Sequence, residues 1–169
     1  MNLRSPKSLI ILFLSISTFC NAQNHDKVFS VFLFSFIKYM SWPNNANKKE
    51  FVVGVIGSKE IVQELTKIAA TKKINDLPIK VLELTTSESG YSSDLLFISS
   101  SNTSAIDNIV KKLGPSSVMV VGKDGYAKRT GGIDLFFQDG KVKFNINKAA
   151  IEKKDIKIST QMIELGNVI

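Results

Sequence analysis

The stretch FVVGVIGSKEIVQELTKIAA, residues 51–70, decides the fold class. Its first seven residues are rich in β-branched side chains and end in glycine, which is typical of a strand buried on both faces. Ser58 then stands where a helix N-cap is expected. Ile61, Leu65 and Ile68 follow at helical spacing and form one apolar stripe. A buried strand followed directly by an amphipathic helix predicts an α/β domain.

The same alternation of strands and helices continues along the chain. Three more apolar runs predict strands, and they are PIKVLEL from Pro78, LLFIS at 95–99 and VMVVG at 118–122. Between the last two lies NTSAIDNIVKKLG, a predicted helix with Asn102 in the capping position and Gly114 beyond its end. The closing segments KAAIEKK and STQMIELG predict two short helices.

The periodicity changes near the C-terminus, in the segment GIDLFFQDGKVKFNIN. Asp139 and Gly140 separate two strand-like halves and suit a two-residue type I′ turn. Apolar residues then alternate with polar ones from Val142 to Asn147, which predicts a strand with one buried face. The sequence therefore predicts a single α/β domain over residues 23–169. Its mixed, mostly parallel sheet would be flanked by helices and would include a C-terminal β-hairpin.

Residues 1–22, MNLRSPKSLIILFLSISTFCNA, have the three-part layout of a secretory signal peptide. A basic start precedes an apolar core, and small side chains precede a cut between Ala22 and Gln23. The core is too short for a good membrane anchor, so we expect a periplasmic protein with no transmembrane segment after cleavage. Cleavage before a lipid-modified Cys20 is the alternative, but bulky Phe19 stands where a lipoprotein needs a small residue.

Cleavage would remove the chain's only cysteine. The mature chain would then have no disulfide, thiol nucleophile or thiolate metal site. The formal net charge of +7 would fall by two as Arg4 and Lys7 leave. The lysines are scattered along the sequence rather than clustered, a pattern that favours solubility over nucleic-acid binding.

The stretch VFLFSFIKYMSWP, Val31–Pro43, belongs to a predicted helix that begins near Asp26 and stops at Pro43. The helix is too short to cross a membrane comfortably and carries a lysine inside the apolar run. Wound at 100° per residue, it has one narrow polar stripe, and nearly every other position is apolar. The stripe contains Lys27, Ser30, Lys38 and Ser41.

Two interpretations of this wide apolar face remain open. The helix could be packed between the sheet and neighbouring helices, as wide apolar faces usually are. Alternatively, part of the face could stay open and be covered by a second subunit or another protein. Phe34 favours the second interpretation because it lies within the polar stripe. The candidate partner-binding residues are Phe34, Lys38, Tyr39 and Trp42.

Several residues of this helix form a pattern with segments further along the chain. They are Phe32, Phe36, Lys38, Tyr39, Trp42 and Pro43, then VGVIG, LLFISSS, Gly131-Gly132-Ile133 with Phe136, VKFNIN before Ala149-Ala150, and IKIS. The pattern resembles the YfiR family of exported bacterial proteins over nearly the whole mature chain. The resemblance implies a periplasmic protein that dimerises and restrains a membrane-bound diguanylate cyclase in cyclic-di-GMP signalling, or one that serves a sensor kinase. Known relatives carry cysteine pairs that tune stability and redox response, so redox control is not carried over to this chain.

The sequence lacks the residue patterns of common catalytic sites. His25, the only histidine, lies at the predicted mature start, so neither a Ser-His-Asp triad nor a histidine metal site is expected. The segment GVIGSKE lacks the Gly-Lys-Ser/Thr ending of a phosphate-binding loop. Asp94, Asp124, Asp134 and Asp139 suit turns and caps. We therefore expect a protein that is not an enzyme and that uses no cofactor or metal.

Three predicted strands end in small polar residues, at 57–58, 99–102 and 122–124. If these strands are parallel, the three loops lie at one edge, where open α/β sheets bind ligands. Free backbone N–H groups at two helix starts would suit a small anion or carboxylate. The candidate ligand-binding residues are Ser58, Ser99, Ser100, Asn102 and Asp124, although ordinary capping and turn formation would use the same residue types.

Two functional hypotheses follow from these patterns. The first is a regulatory binding module whose aromatic helix dimerises or holds a membrane-bound signalling protein. The second is a periplasmic receptor for a small anion or carboxylate, with its site where the strands end. An exposed aromatic patch would favour the first hypothesis, and a pocket at Ser58, Ser99 and Asp124 would favour the second.

Overall fold

The computed structural model describes residues 19–43, 48–88 and 91–169, with side chains from His25 onward. The predicted signal peptide, residues 1–22, and its cleavage site lie outside the described side chains. Within the described residues, no helix combines the length and apolar character needed to cross a membrane.

One eight-stranded sheet organises the protein, with the spatial order β10-β8-β7-β6-β5-β2-β4-β3. Its strands are β2 Phe51–Ile56, β3 Lys73–Ile74, β4 Leu77–Leu84, β5 Leu95–Ile98, β6 Val118–Val121, β7 Ile133–Gln138, β8 Lys141–Ile146 and β10 Asn167–Val168. Five adjacent strands pair in parallel, and they are β4, β2, β5, β6 and β7. Strand β8 runs antiparallel to β7, and β10 runs parallel to β8. The predicted α/β fold with a mixed, mostly parallel sheet and a C-terminal hairpin is thus confirmed.

A separate two-stranded pair joins β1, Met40–Ser41, to β9, Lys157–Ile158. The strands β2, β5 and β6 all begin at one edge of the large sheet and end at the other. We call these the amino edge and the carboxyl edge.

Helices pack on both faces of the sheet. They are α1 Phe19–Tyr39, α2 Lys59–Ala69, α3 Ile106–Val110, α4 Ala127–Thr130, α5 Lys148–Glu152 and α6 Thr160–Leu165, with a 3₁₀ helix at Ser100–Ala105. Leu95 and Phe97 of β5 belong to the larger core with α1 and α2, whereas Leu96 and Ile98 belong to a second core with α3. Alternate side chains of a strand point to opposite faces, so β5 is buried on both sides.

The hairpin turn forms as the sequence predicts, and a glycine just before β7 allows a close backbone contact. Asp139 and Gly140 both have positive φ, 52° and 71°, which is the geometry of a type I′ hairpin turn. A Cβ added at Gly132 would lie only 2.1 Å from the Met119 carbonyl oxygen, so the chain there accepts only glycine.

Helix α1 differs from its prediction in length and in one polar position. It runs Phe19–Tyr39 rather than beginning near Asp26. Ser30, assigned to the polar stripe, is completely buried and donates its hydroxyl hydrogen to the Asp26 carbonyl oxygen at 2.8 Å. This backbone acceptor one turn earlier explains how a hydroxyl can lie in the core.

Hydrogen bonds fasten the two ends of α1 to opposite edges of the sheet. Near its start, Asp26 Oδ2 accepts a hydrogen bond from Ser58 Oγ at 2.8 Å, just after β2. Just beyond its end, Trp42 Nε1 donates to the Asp94 carbonyl oxygen at 3.2 Å, just before β5. The Trp42 ring also meets Phe51 edge-on, with centroids 4.8 Å apart. Helix α1 therefore crosses the sheet from its carboxyl edge to its amino edge.

The helix predicted after β5 is present, but the predictions of its N-cap and of its first turn are wrong. Its N-terminal part is the 3₁₀ helix, which has Ser99 rather than Asn102 at its N-cap, and Asn102 lies inside it. A cluster of serine, asparagine and threonine favours such tight local structure over a regular α-helix. The elements β1, β3, β9, β10 and α4 were not predicted, because runs of two to four residues carry no periodicity.

Two phenylalanines of α1 test its packing. Phe36 is 2% exposed, and Phe34 is partly buried against the same core. We expect Phe36→Ala to lower the free energy of unfolding by about 3–5 kcal/mol and Phe34→Ala by roughly half that or less, because a partly exposed ring buries less apolar area. Denaturant unfolding of both variants measures the difference. Equal losses would contradict the packing described for α1.

Candidate functional site

The carboxyl edge brings together the three loops that the sequence singled out. The Ser99 N–H donates to the Ile56 carbonyl oxygen at 2.9 Å, and the Gly122 N–H donates to the Ile98 carbonyl oxygen at 2.8 Å. The ends of β2, β5 and β6 are therefore adjacent, as parallel pairing requires.

A side chain of the protein itself lies where the first loop was expected to hold an anion. Ser58 caps α2 by accepting a hydrogen bond from the Ile61 N–H at 3.0 Å, and its hydroxyl donates to the Asp26 carboxylate. A carboxylate near a helix N-terminus is stabilised by the helix dipole. Asp26 thus supplies the negative group at this position, and Ser58 has a structural role.

The second loop is closed by hydrogen bonds among its own side chains. Ser99 Oγ donates to Asn102 Oδ1 at 2.8 Å and lies 2.9 Å from Ser101 Oγ. A Cβ added at Gly57 would lie 1.9 Å from Asn102 Oδ1, so this loop packs directly on the end of β2. Ser99 and Asn102 are consequently engaged within the protein, whereas Ser100 is exposed.

An open cleft of about 470 Å³ lies beside these loops at the same edge. Ser100 and Asp124 line it, but Ser58, Ser99 and Asn102 do not. The cleft also has one cation and two carboxylates around an aromatic wall, and its complete lining is His25, Asp26, Phe29, Ser100, Gly122, Lys123, Asp124, Phe136 and Phe137.

The aromatic wall of this cleft is a stack of three rings. His25 stacks on Phe137 with centroids 3.8 Å apart, and Phe137 stacks on Phe29 at 5.3 Å. His25 was expected to lie at a loose chain start, but it belongs to α1 and contacts the sheet through this ring. The sequence gave no sign of this contact, because His25 and Phe137 are far apart along the chain.

Asp134 holds the loop that carries Lys123 and Asp124. It is 1% exposed, and its carboxylate accepts hydrogen bonds from the N–H groups of Gly125 at 2.9 Å and Tyr126 at 3.0 Å. Burial raises the pKa of Asp134 above its ordinary value, against the opposing effect of the backbone donors. Asp134 is therefore a positioning residue for one rim of the cleft, which agrees with its expected role in turn formation.

A second cleft, of about 760 Å³, opens at the amino edge and was not predicted. Asp94 organises it. The Asp94 carboxylate forms an ion pair with Lys48 and accepts a hydrogen bond from the Val52 N–H at 2.7 Å. Its carbonyl oxygen accepts from the Trp42 indole. Asp94 thus fixes both Trp42 and Lys48 to the start of the sheet, a role that its expected function as a turn former did not include.

Serine residues contribute to the lining of this second cleft, and Lys154, outside the lining, bonds to one of them. Ser117 donates its hydroxyl hydrogen to the Ser93 carbonyl oxygen, and Lys154 Nζ donates to the Ser117 carbonyl oxygen at 2.8 Å. Burial lowers the pKa of Lys154. The Ser93 hydroxyl has no partner among the described residues. It lies 3.3 Å from the position of a Cβ added at Gly54, so it faces the strand next to it rather than the open cleft.

The four candidate partner-binding residues differ in accessibility. Lys38 is exposed, whereas Phe34, Tyr39 and Trp42 are half-buried. The aromatic side chains of α1 from His25 onward therefore form no fully exposed patch. Among the residues whose burial is described, the exposed large apolar ones are Val31 on the outer side of α1 and, at the end of the chain, Leu165, Val168 and Ile169.

Within the described residues, no group of three or more histidine, cysteine, aspartate or glutamate side chains is placed to hold a metal ion. The only histidine of the chain is part of the aromatic stack.

Comparison with known proteins gives one clear result. The model of the YfiR/HmsC-like family matches residues 26–167, which includes all of the large sheet except its last residue. No curated protein sequence gives a significant match. The family has a periplasmic regulatory role in cyclic-di-GMP signalling and is not catalytic. Because the match covers most of the chain, from Asp26 in α1 to Asn167 in β10, the protein belongs to the YfiR/HmsC-like family.

Proposed function

We propose that the protein is a non-catalytic periplasmic regulator that binds and restrains a membrane-bound signalling protein, either a diguanylate cyclase or a sensor kinase. We also propose that it acts as a dimer. The observation that carries the proposal is the family match over residues 26–167. The aspartates that a hydrolytic or transfer site would need are engaged in structural roles at Asp94 and Asp134, which also supports a binding function.

The proposed contact surface lies on the outer side of α1 and continues onto α6. At 100° per residue, Val31 and Lys38 lie opposite the buried face of α1, with Phe34 on the flank towards α2. Lys38 also lies 5.6 Å above the Tyr39 ring. Val31 is 54% exposed, although valine has no polar group that favours contact with water.

Helix α6 supplies the second half of this surface. Phe32 of α1 contacts the Phe144 ring, with centroids 6.1 Å apart. The Phe144 ring in turn lies against Gly166, because a Cβ there would be 2.3 Å from its Cε2 atom. Leu165, which precedes Gly166, is 77% exposed. An exposed leucine beside a row of packed aromatic rings is typical of a protein contact.

Trp42 is half-buried and is a weaker candidate for this surface. Its N–H group is already bonded to Asp94, and its ring packs on Phe51. Phe34, Lys38 and Tyr39 therefore remain the stronger candidates among the four residues that the sequence suggested.

Charge placed on the two exposed apolar residues tests the contact. We expect Val31→Glu and Leu165→Glu to leave the melting temperature nearly unchanged, because both side chains face water. Each should weaken dimer or partner binding by about 1–3 kcal/mol, as loss of an apolar contact residue does. Sedimentation measures self-association. Asn108→Glu, at an exposed position of α3 on the opposite face of the sheet, adds the same charge and is the matched control.

The regulatory claim is tested in the producing cell. Deletion of the gene should raise cyclic-di-GMP if the restrained protein is a cyclase, or raise kinase output if it is a kinase. The wild-type chain and Asn108→Glu should restore the lower level, whereas Leu165→Glu should not. If deletion changes neither output, the regulatory proposal is wrong. If both apolar variants restore it fully, the contact lies on another surface.

A second candidate function is the binding of a small carboxylate in the cleft at the carboxyl edge. The supporting observation is the combination of Lys123 with the stacked rings of Phe29 and Phe137. Lys123 can form an ion pair with the carboxylate of a ligand, and the rings can pack against the apolar part of the same ligand. Because Asp26 and Asp124 also line the cleft, a simple inorganic anion fits less well than a carboxylate with an apolar part.

Benzoate and acetate are suitable probes of this cleft. We expect benzoate to raise the melting temperature and acetate to have little effect, because only benzoate can use the aromatic wall. Lys123→Gln and Ser100→Leu should abolish the benzoate shift, whereas Lys128→Gln, an exposed lysine outside the cleft, should keep it. A shift that persists in both cleft variants would place the binding site elsewhere.

A further inference from the structure

The fold gathers at one end of the molecule lysines that are scattered along the sequence. Ten lysines and five carboxylates belong to segments at the amino edge. The lysines are Lys48, Lys49, Lys67, Lys72, Lys73, Lys111, Lys112, Lys153, Lys154 and Lys157, and the carboxylates are Glu50, Asp76, Glu88, Asp94 and Asp155. We call this surface the basic end.

Hydrogen bonds and strand pairing place these segments together. Lys48 pairs with Asp94, just before β5, and Lys154 bonds to Ser117, just before β6. The carbonyl oxygen of Lys112 accepts a hydrogen bond from the Tyr91 N–H, also ahead of β5.

Strand pairing brings the remaining segments to the same edge. Lys73 is paired with Pro78 at the start of β4. Lys157 is paired with Ser41, the residue before Trp42. Helix α2 returns from the carboxyl edge to this one, which brings Lys67 and Lys72 with it.

The rest of the described molecule is electrically balanced. From His25 to the C-terminus, the residues outside the basic end include ten cationic and ten anionic side chains. Glu64 and Lys80, which form ion pairs with Lys67 and Glu50, add one charge of each sign and leave this balance unchanged. The basic end thus carries the whole net positive charge of residues 25–169. Along the sequence these lysines are scattered, and only the fold brings them to one end.

Helix stabilisation accounts for only part of this charge. Lysines at helix C-termini interact favourably with the helix dipole, and Lys67, Lys111 and Lys153 lie at such ends. Lys49 and Lys157 lie in a loop and in a strand, where no helix end needs a cation. Eight of the ten side chains are exposed. Among the described residues, Lys72, Lys111 and Lys153 form no ion pair.

The chemistry of the basic end favours a broad anionic surface over a shaped ligand. Its charges come from separate loops, helix ends and short strands rather than from one groove, so they can face an extended plane. All ten are lysines, which act as point charges on flexible stems, and none is an arginine, whose fork suits specific paired contacts. Clustered lysines of this kind attract anionic lipid headgroups.

We infer that the basic end binds the anionic phospholipid headgroups of a membrane surface. The second cleft opens at the same end, and its lining includes Lys48 and Lys49 together with the carboxylates Glu50 and Asp94. Peripheral binding of this kind needs no spanning helix. It does not depend on the proposed regulatory function, but it would hold the protein beside any membrane-bound partner.

The experiment measures binding of the purified exported protein to vesicles. We expect binding to vesicles of phosphatidylcholine with phosphatidylglycerol, no binding to phosphatidylcholine alone, and loss of binding as NaCl rises from about 0.05 M to about 0.5 M, because salt screens exposed charges. The triple variant Lys72→Glu/Lys111→Glu/Lys153→Glu should bind about a hundredfold more weakly, at about tenfold or less for each lysine.

The matched control is Lys59→Glu/Lys128→Glu/Lys141→Glu, which changes three exposed lysines outside the basic end and has the same net charge. It should bind vesicles nearly as well as the wild type. A parallel triple Lys→Gln variant at 72, 111 and 153 keeps the test valid if the glutamates disturb the helix ends. Thermal melting checks the fold of each variant.

Three outcomes would overturn the inference. The first is equal weakening in the two triple glutamate variants, which would make net charge alone responsible. The second is binding to uncharged vesicles that salt does not reverse. The third is failure to bind anionic vesicles. Tight, salt-sensitive binding of polyglutamate that requires the basic end would then identify an acidic protein as the occupant.

Discussion

The burial of α1 across the sheet is the interaction on which the rest of the structure depends. One face of the helix, including Phe29, Leu33, Phe36 and Ile37, enters the larger core. Each such side chain contributes about 1.5–3 kcal/mol when it is fully buried. Without this helix, much of the face of β2, β5 and β6 that it covers together with α2 would be open to water. A chain whose predicted mature part has no cysteine must rely on this core for its stability.

The two hydrogen bonds at the ends of α1 link this core to both functional edges. At the carboxyl edge, the bond between Ser58 and Asp26 brings His25 and Asp26 into the rim of the smaller cleft. At the amino edge, the bond from the Trp42 indole to the Asp94 carbonyl oxygen holds both residues in the lining of the larger cleft. The helix therefore shapes both ends of the molecule, and its outer side is the surface that we propose for partner contact.

Parallel topology explains why charge is distributed so unevenly. Parallel strands require that each connecting helix return to the starting edge. Helix C-termini then collect at the amino edge, where lysine is locally favourable. The same rule places small polar residues and helix starts at the carboxyl edge. The preference of each helix for lysine at its C-terminus thus contributes to the positive charge of one whole end of the protein.

Much of the fold could be predicted from the sequence because the buried strands are continuous apolar runs. The segments at 51–57, 95–99 and 118–122 have no polar interruption, and the Asp139–Gly140 pair has a distinctive turn chemistry. The adjacency of the three strand ends also followed from parallel pairing. These features depend on neighbouring residues or on a general rule of topology.

The details of the candidate sites could not be predicted because they depend on long-range contacts. The side chain that bonds to Ser58 lies 32 positions away, and Trp42 meets a carbonyl oxygen 52 positions away. Helical winding placed Phe34 at the correct angle but did not reveal which neighbours cover it. The basic end likewise could not be predicted, because its lysines come from segments distributed between residues 48 and 157.

Hydrogen exchange along α1 tests most directly the claim that this helix is a core element fastened at both ends. Amide protons in the most stable parts of a fold exchange only through global unfolding. In the isolated protein, the amides from Phe29 to Ile37 should exchange as slowly as those of β5 and β6. Exchange of α1 at rates close to those of an unfolded chain, while the sheet stays protected, would contradict the account and make α1 a loosely attached helix.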